Sequence, residues 1–293
     1  MELCYTAYIV CWTYRTFTEV LHMEVWVQFF KEGFFGYGEK GDFQYYSIEH
    51  FIPLLLLAAG ICLFYRHRDA LRNWKHEEEF RFVFAFIMLL AEMSYFWRLL
   101  YVGSSNPAEQ NLLDKLPLQV CEWSCITAIF MITKKSRALY QICFYVCLTV
   151  GIFPLLTPSV ITTTGPTYYR YYQYWLEHIL PILAVFYMTF VHGFRPKLKG
   201  IALSTAFMSV LVVFALTCNF NIEGANYLYL ARGTADGGGS VMDVLVKIAP
   251  SVWGRLGLLV VIVLGMFFIA YGVFVGIERM AKQKHKNKEK HLV

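Results

Sequence analysis

The sequence predicts an all-α polytopic membrane protein, a bundle of about seven transmembrane helices. Three observations carry that prediction. Hydrophobic residues make up 57% of the 293 and charged residues only 16%, where a soluble domain of this length carries nearer a quarter charged. Apolar runs of about 20 residues, the length needed to cross hydrocarbon, recur from residue 47 onward. Lysine and arginine collect in alternate loops, as the positive-inside rule requires.

Residues 1–46 are aromatic-rich but broken by Arg15, Glu19, Glu24, Lys31 and the glycines Gly33, Gly36, Gly38 and Gly41. They read as an interfacial or re-entrant N-terminal region. Met1-Glu2-Leu3-Cys4 offers no positive n-region, so a secretory signal peptide is not expected. The transmembrane domain is expected over 47–276. Its spans fall at roughly 47–65, 80–101, 117–133, 138–156, 170–191, 201–220 and 253–276. Residues 277–293 form a basic tail. Lipid offers no partner to an open backbone group, so every span must be helical.

Orientation follows from charge. The loop after the first span carries Arg66, Arg68, Arg72, Lys75 and Arg81. The loop after the third carries Lys134, Lys135 and Arg137, and the loop after the fifth Arg195, Lys197 and Lys199. The tail adds Arg279, Lys282, Lys284, Lys286, Lys288 and Lys290. The opposite loops carry only Lys115, Arg170, Arg232 and Lys247, with Arg15, Lys31 and Lys40 in the N-terminal region. A cytoplasmic C-terminus and an outside or lumenal N-terminus follow. The same asymmetry accounts for the net charge of +5, so the expected partner is the membrane and no nucleic acid is needed.

The stretch Leu116-Pro117-Leu118-Gln119-Val120-Cys121-Glu122-Trp123-Ser124-Cys125 puts a thiol and a carboxylate at the head of a span. Pro117 suits the first helical turn. At 1.5 Å per residue Cys121 lies about 6 Å inside, and His178 about 12 Å inside measured from Arg170. His50, Glu92, Arg98, Glu122, Glu177 and Arg255 fall in the same outer half, and the inner half reads as nearly free of ionisable groups. Ionisable residues at such depth mark functional sites by default, and these predict one polar chamber open to the outer leaflet. Taken singly, Cys121 reads as a small hydrophobe, His178 as a helix–helix hydrogen bond, and Arg98 and Arg255 as snorkelling cations. Together, a thiol and an imidazole at similar depth are the minimum apparatus for acyl transfer. Glu122 or Glu177 would orient the imidazole, although adjacent residues point about 100° apart, which disfavours Glu177 as the direct partner of His178. The eight cysteines show no CxxC or Cys/His metal spacing and no disulfide framework, so neither metal nor cofactor is expected.

Four places carry a resemblance: Tyr46-Ser47-Ile48-Glu49-His50, Leu116 to Cys121, Tyr174-Trp175-Leu176-Glu177-His178, and Gly224-Ala225-Asn226-Tyr227-Leu228-Tyr229-Leu230. In their order and spacing the chain resembles the YwaF family of integral membrane proteins, related to the transmembrane protein 164 acyltransferase. The resemblance implies a catalytic pair at Cys121 and His178 and a phospholipid or lysophospholipid substrate. The expected function is a cysteine-dependent phospholipid acyltransferase or a thioesterase-like enzyme. His50, Arg98 or Arg255 would hold the headgroup phosphate, and Asn226 would support an oxyanion. The alternative is a non-catalytic transporter or receptor for a lipid or small molecule, using the same chamber. The membrane is the plasma membrane for a bacterial protein and the ER or Golgi for a eukaryotic one.

Overall fold

The computed structural model describes residues 33–35, 43–102, 116–158, 165–231 and 241–290, and among them every regular element is a helix. They are α1 (Ile48–Arg66), α2 (Arg68–Arg72), α3 (Glu77–Val102), α4 (Val120–Lys134), α5 (Arg137–Cys147), α6 (Phe153–Leu156), α7 (Tyr169–Phe190), α8 (Leu198–Asn221), α9 (Val241–Ile248) and α10 (Val252–Lys290). The helix α7 is the hub. It packs against α1, α3, α4, α5 and α6, while α8 packs on α5 and α10. The outer helices carry exposed apolar side chains, such as Leu55 and Leu56 on α1, Val213 and Phe214 on α8, and Val261 and Ile269 on α10.

Four described helices are long and apolar enough to cross a membrane: α1, α3, α8 and α10. Counting the bent pair Arg137–Cys147 and Val150–Leu156 as one crossing makes five. The expectation of about seven exceeds this for physical reasons. The helix α4 has 15 residues, about 22 Å of rise against a hydrocarbon core of about 30 Å. The helix α7 carries Arg170, Gln173, Glu177 and His178 in its first half. Surrounded by other helices, it need not be apolar itself.

Other expectations change too. Pro117 does not open a helix. The helix α4 starts at Val120 with Gln119 as N-cap, and Pro117 sits before it, its carbonyl accepting the Trp123 indole N–H at 2.6 Å. The expected span 138–156 is broken by 51° after Cys147. Thr149 Oγ1 donates back to the Tyr145 carbonyl at 2.6 Å, a bond that bends helices, and Pro154 has no N–H to continue the ladder. The last span and the basic tail form one 39-residue helix, α10. Most of 1–46 lies outside the described residues. The described part packs on the start of α7, where the Phe34 carbonyl accepts from Tyr169 N at 2.7 Å and Phe43 packs on Trp175.

The end of the bundle away from Cys121 is not free of ionisable groups. At the start of α3, Glu77 is buried and accepts from Arg81 Nε (2.9 Å), Lys135 Nζ (3.2 Å) and Tyr187 Oη (2.8 Å), with His192 Nε2 at 2.7 Å. Arg81 also donates to the Ile132 and Thr133 carbonyls at 2.8 and 2.9 Å. One carboxylate thereby ties the start of α3 to the ends of α4 and α7. The loop after α7 is held separately: Gln141 Nε2 donates to the Arg195 carbonyl (3.0 Å) and Gln141 Oε1 accepts from Lys197 N (2.7 Å).

Removing one member of a buried ion pair leaves the other charge uncompensated. Glu77→Ala is therefore expected to cost about 3–5 kcal/mol, read as a lower thermal midpoint in detergent. Glu78→Ala, at an exposed neighbouring position, should change it by less than about 0.5 kcal/mol. Equal midpoints for the two variants would contradict the tie.

Candidate functional site

The site lies where α3, α4 and α7 meet, at the end opposite Glu77. Cys121 is the second residue of α4. Its neighbour Glu122 closes a capping box: its Oε2 accepts from Gln119 N at 2.8 Å, which satisfies one of the orphan donors of the first turn. Buried Glu122 is thereby committed to holding the helix start that carries Cys121.

Cys121 Sγ, a carboxylate oxygen of Glu177 and a ring nitrogen of His178 all lie within 4.8 Å of one another. The thiol is partly exposed, and the two α7 residues are buried. The imidazole is oriented by neither glutamate. His178 Nδ1 lies 2.7 Å from the Tyr174 carbonyl one turn earlier, and the Tyr174 ring packs 4.3 Å from the imidazole. A carbonyl can only accept, so Nδ1 carries the proton and Nε2 is the lone-pair nitrogen.

Glu177 faces the thiol and is braced from behind. Gln173 Nε2 donates to its Oε2 at 2.9 Å and to the Ala91 carbonyl on α3 at 3.0 Å. Arg170 Nη1 sits 3.6 Å from the same oxygen, donates to Gln173 Oε1, and stacks over the Tyr95 ring at 4.3 Å. Glu92 on α3 is 2% exposed and within electrostatic range of both Glu177 and Arg170. Its Oε2 finds no hydrogen-bond partner among the described residues, and neither does Ser124 Oγ on α4.

Sequence reasoning singled out neither Arg170 nor Gln173 for the site. The signal was available: Arg170, Gln173, Tyr174, Glu177 and His178 recur at spacings of three and four, which is one face of a helix.

The other named residues occupy separate sockets. His50 is buried between α1 and α6, with Nδ1 accepting from Tyr46 N at 3.0 Å and Nε2 donating to the Leu155 carbonyl at 2.7 Å. Arg255, 1% exposed, gives its donors to the carbonyls of Leu230, Ala231, Ala249 and Pro250 at 2.7 to 3.2 Å. Neither ring nor guanidinium joins the Cys121 network. Arg98 is on α3, with its side chain outside the described atoms.

Asn226 opens the loop that docks on the start of α4. Leu228 N donates to Gln119 Oε1 at 3.0 Å, and Tyr227 Oη accepts from Leu116 N at 2.8 Å. Asn219 clasps Tyr227 through both its backbone groups, at 2.7 and 3.0 Å. Leu228 and Tyr229 both take left-handed backbone, φ 55° and 53°. That conformation costs about 1–2 kcal/mol per residue, so these contacts hold the loop against its own preference.

Helices faced with apolar side chains, gathered around a buried polar cluster, define an integral, multi-pass membrane protein. The chain belongs to the TMEM164 family, whose model matches residues 45–271. All four motifs quoted above fall within that match, which supports the transmembrane protein 164 side of the resemblance and does not show the YwaF name. No curated protein and no solved structure matches the chain.

A lysine has three donors on one nitrogen and cannot span the four carbonyls that Arg255 serves. Arg255→Lys should cost at least about 1.5–3 kcal/mol, the size of a charged hydrogen bond. It should also speed amide hydrogen exchange at Leu228 and Tyr229. Unchanged exchange there would show that the loop is held without Arg255.

Proposed function

We propose that this protein is a membrane-embedded acyltransferase that works on phospholipid acyl esters through Cys121 and His178. The observation that carries this reading is the thiol within 4.8 Å of an imidazole whose Nδ1 proton is committed to a backbone carbonyl. Such a ring is in the tautomer a general base needs, with Nε2 ready to accept.

In this mechanism His178 Nε2 takes the Cys121 proton and the thiolate attacks the ester carbonyl carbon. The tetrahedral intermediate collapses by breaking the bond to the glycerol oxygen, which leaves with the proton from the imidazolium. A lysophospholipid departs and an acyl thioester remains on Cys121. In the second half His178 takes the proton of an acceptor hydroxyl, that oxygen attacks the thioester, and the thiol is regenerated. Water as acceptor would make the same apparatus a thioesterase. Glu177, held by Arg170 and Gln173, keeps its negative charge beside the ring and stabilises the transient imidazolium. Asn226 supports the oxyanion from the docked loop, and Arg98 takes the headgroup phosphate. No step requires a metal or an organic cofactor.

Seven crossings belong to the same proposal, with α4 and α7 as short or polar spans sheltered by their neighbours and the basic end of α10 in the cytosol. Cysteines placed at Lys284 and Glu223 in a chain cleared of its own exposed thiols should label from opposite sides. Labelling of both from one side would rule out this arrangement.

Cys121→Ala should abolish acyl transfer from a phospholipid donor, and His178→Ala should lower it by about 10²–10⁴-fold. Their losses should not add, because the residues act as a unit. Cys125→Ala should retain most activity, since the Cys125 thiol is fully buried and points to the Met88 carbonyl at 3.7 Å. Full activity in Cys121→Ala would return the thiol to packing and leave a transporter or receptor as the reading.

A further inference from the structure

The three groups that would pass a proton also make a metal-ligand set. Cys121, Glu177 and His178 each offer one ligand atom, all within 4.8 Å of one another. Sulfur, imidazole nitrogen and carboxylate oxygen together suit Zn²⁺, which takes three protein ligands and leaves a fourth tetrahedral position open in reactive sites. The surroundings are those of a metal site as well. A ligating histidine characteristically donates its other N–H to a carbonyl, as His178 Nδ1 does to Tyr174. A ligating carboxylate is held by a further hydrogen bond, as Glu177 is by Gln173.

Charge points the same way. Arg170 is the only cation within 4.0 Å of Glu177 among the described residues, while Glu92 and Glu122 add two further buried carboxyl groups around the cluster. One oxygen of buried Glu92 finds no hydrogen-bond partner among the described residues, so a carboxyl group beside the cluster is left unsatisfied.

We infer that Zn²⁺ binds at Cys121, Glu177 and His178 and silences the site. On binding, the Cys121 S–H bond breaks, an S–Zn bond forms and one proton leaves to solvent. The metal then occupies both the thiolate and the Nε2 lone pair that acyl transfer uses, so occupancy and turnover exclude each other. The regulatory consequence rests on the acyl-transfer reading; the binding itself does not.

The test uses the full chain in detergent, with Cys121 alkylation by N-ethylmaleimide followed by peptide mass spectrometry. Adding ZnCl₂ should slow Cys121 alkylation by about tenfold or more, and EDTA should restore it. A cysteine placed at exposed Glu223, beyond the end of α8, serves as the internal control and should be unaffected. Mg²⁺ should not protect, because it prefers an octahedral shell of oxygen ligands. Glu177→Gln and His178→Gln should each raise the Zn²⁺ concentration needed for protection by about tenfold or more, and acyl transfer should fall over the same Zn²⁺ range. Alkylation of Cys121 at one rate with and without Zn²⁺, or protection unchanged in both variants, would overturn the site. Zn²⁺ that protects Cys121 yet leaves or raises acyl transfer would overturn the silencing. Protection that survives while Cys121→Ala remains fully active would sink the acyl-transfer reading and keep the metal site.

Discussion

Buried carboxylates set the terms on which the three central helices meet. A carboxylate removed from water costs several kcal/mol unless charge and hydrogen bonds replace its hydration. The helix α3 begins with one such group, Glu77, and α7 contributes another, Glu177. Each is met from more than one helix or from several turns of the same helix. Glu77 draws in Arg81, Lys135, Tyr187 and His192, and Glu177 draws in Gln173 and Arg170, with Gln173 reaching across to α3. Apolar contacts alone would let helices slide in lipid, where the tails compete equally for them. Directed bonds at both ends do not, and they fix the depth at which α4 presents Cys121 to α7.

That arrangement explains how much could be read from the sequence. The all-helical membrane class was legible because hydropathy is local and a span declares itself in about 20 residues. Cys121 and His178 were legible because a thiol and an imidazole stand out among Leu and Phe, and depth could be counted along each helix. What could not be read was pairing across helices. His50 and Arg255 look like chamber residues from their depth alone, yet each is spent on backbone groups, a use that only the packed chain reveals. Arg170 stands at the edge of its span, so charge counting assigns it to a loop, although its spacing to Gln173 and Glu177 puts all three on one helix face. Charge counting assigns Arg81 to a loop for the same reason, although α3 starts early enough to bury it together with Glu77. Pro117 shows the limit of local rules: a residue that favours the first turn stands three residues outside it here.

The start of α4 is the most dependent part of the site. Its capping carboxylate, Glu122, accepts from the Gln119 backbone, and the Gln119 amide oxygen also accepts from Leu228 N on the docked loop. Val120 and Cys121 lie between Gln119 and Glu122, so the thiol is held jointly by a helix and by a strained loop. The family match covers the loop and the helix alike.

The length of α10 has a consequence of its own. Thirty-nine residues make a rod of about 58 Å, close to twice the hydrocarbon thickness. A flexible basic tail would lie down on anionic headgroups, whereas a helix that leaves the bilayer unbroken carries its lysine positions outward. The ionic double layer is only about 8 Å deep at physiological salt. Glu278, which Arg195 grips at 3.1 Å, marks where the rod leaves the bundle, and a surface potential would decay over the turns beyond it. The turn at Glu278 therefore stands nearest the apolar part of the rod, and each later turn of backbone lies about 5.4 Å further along its axis.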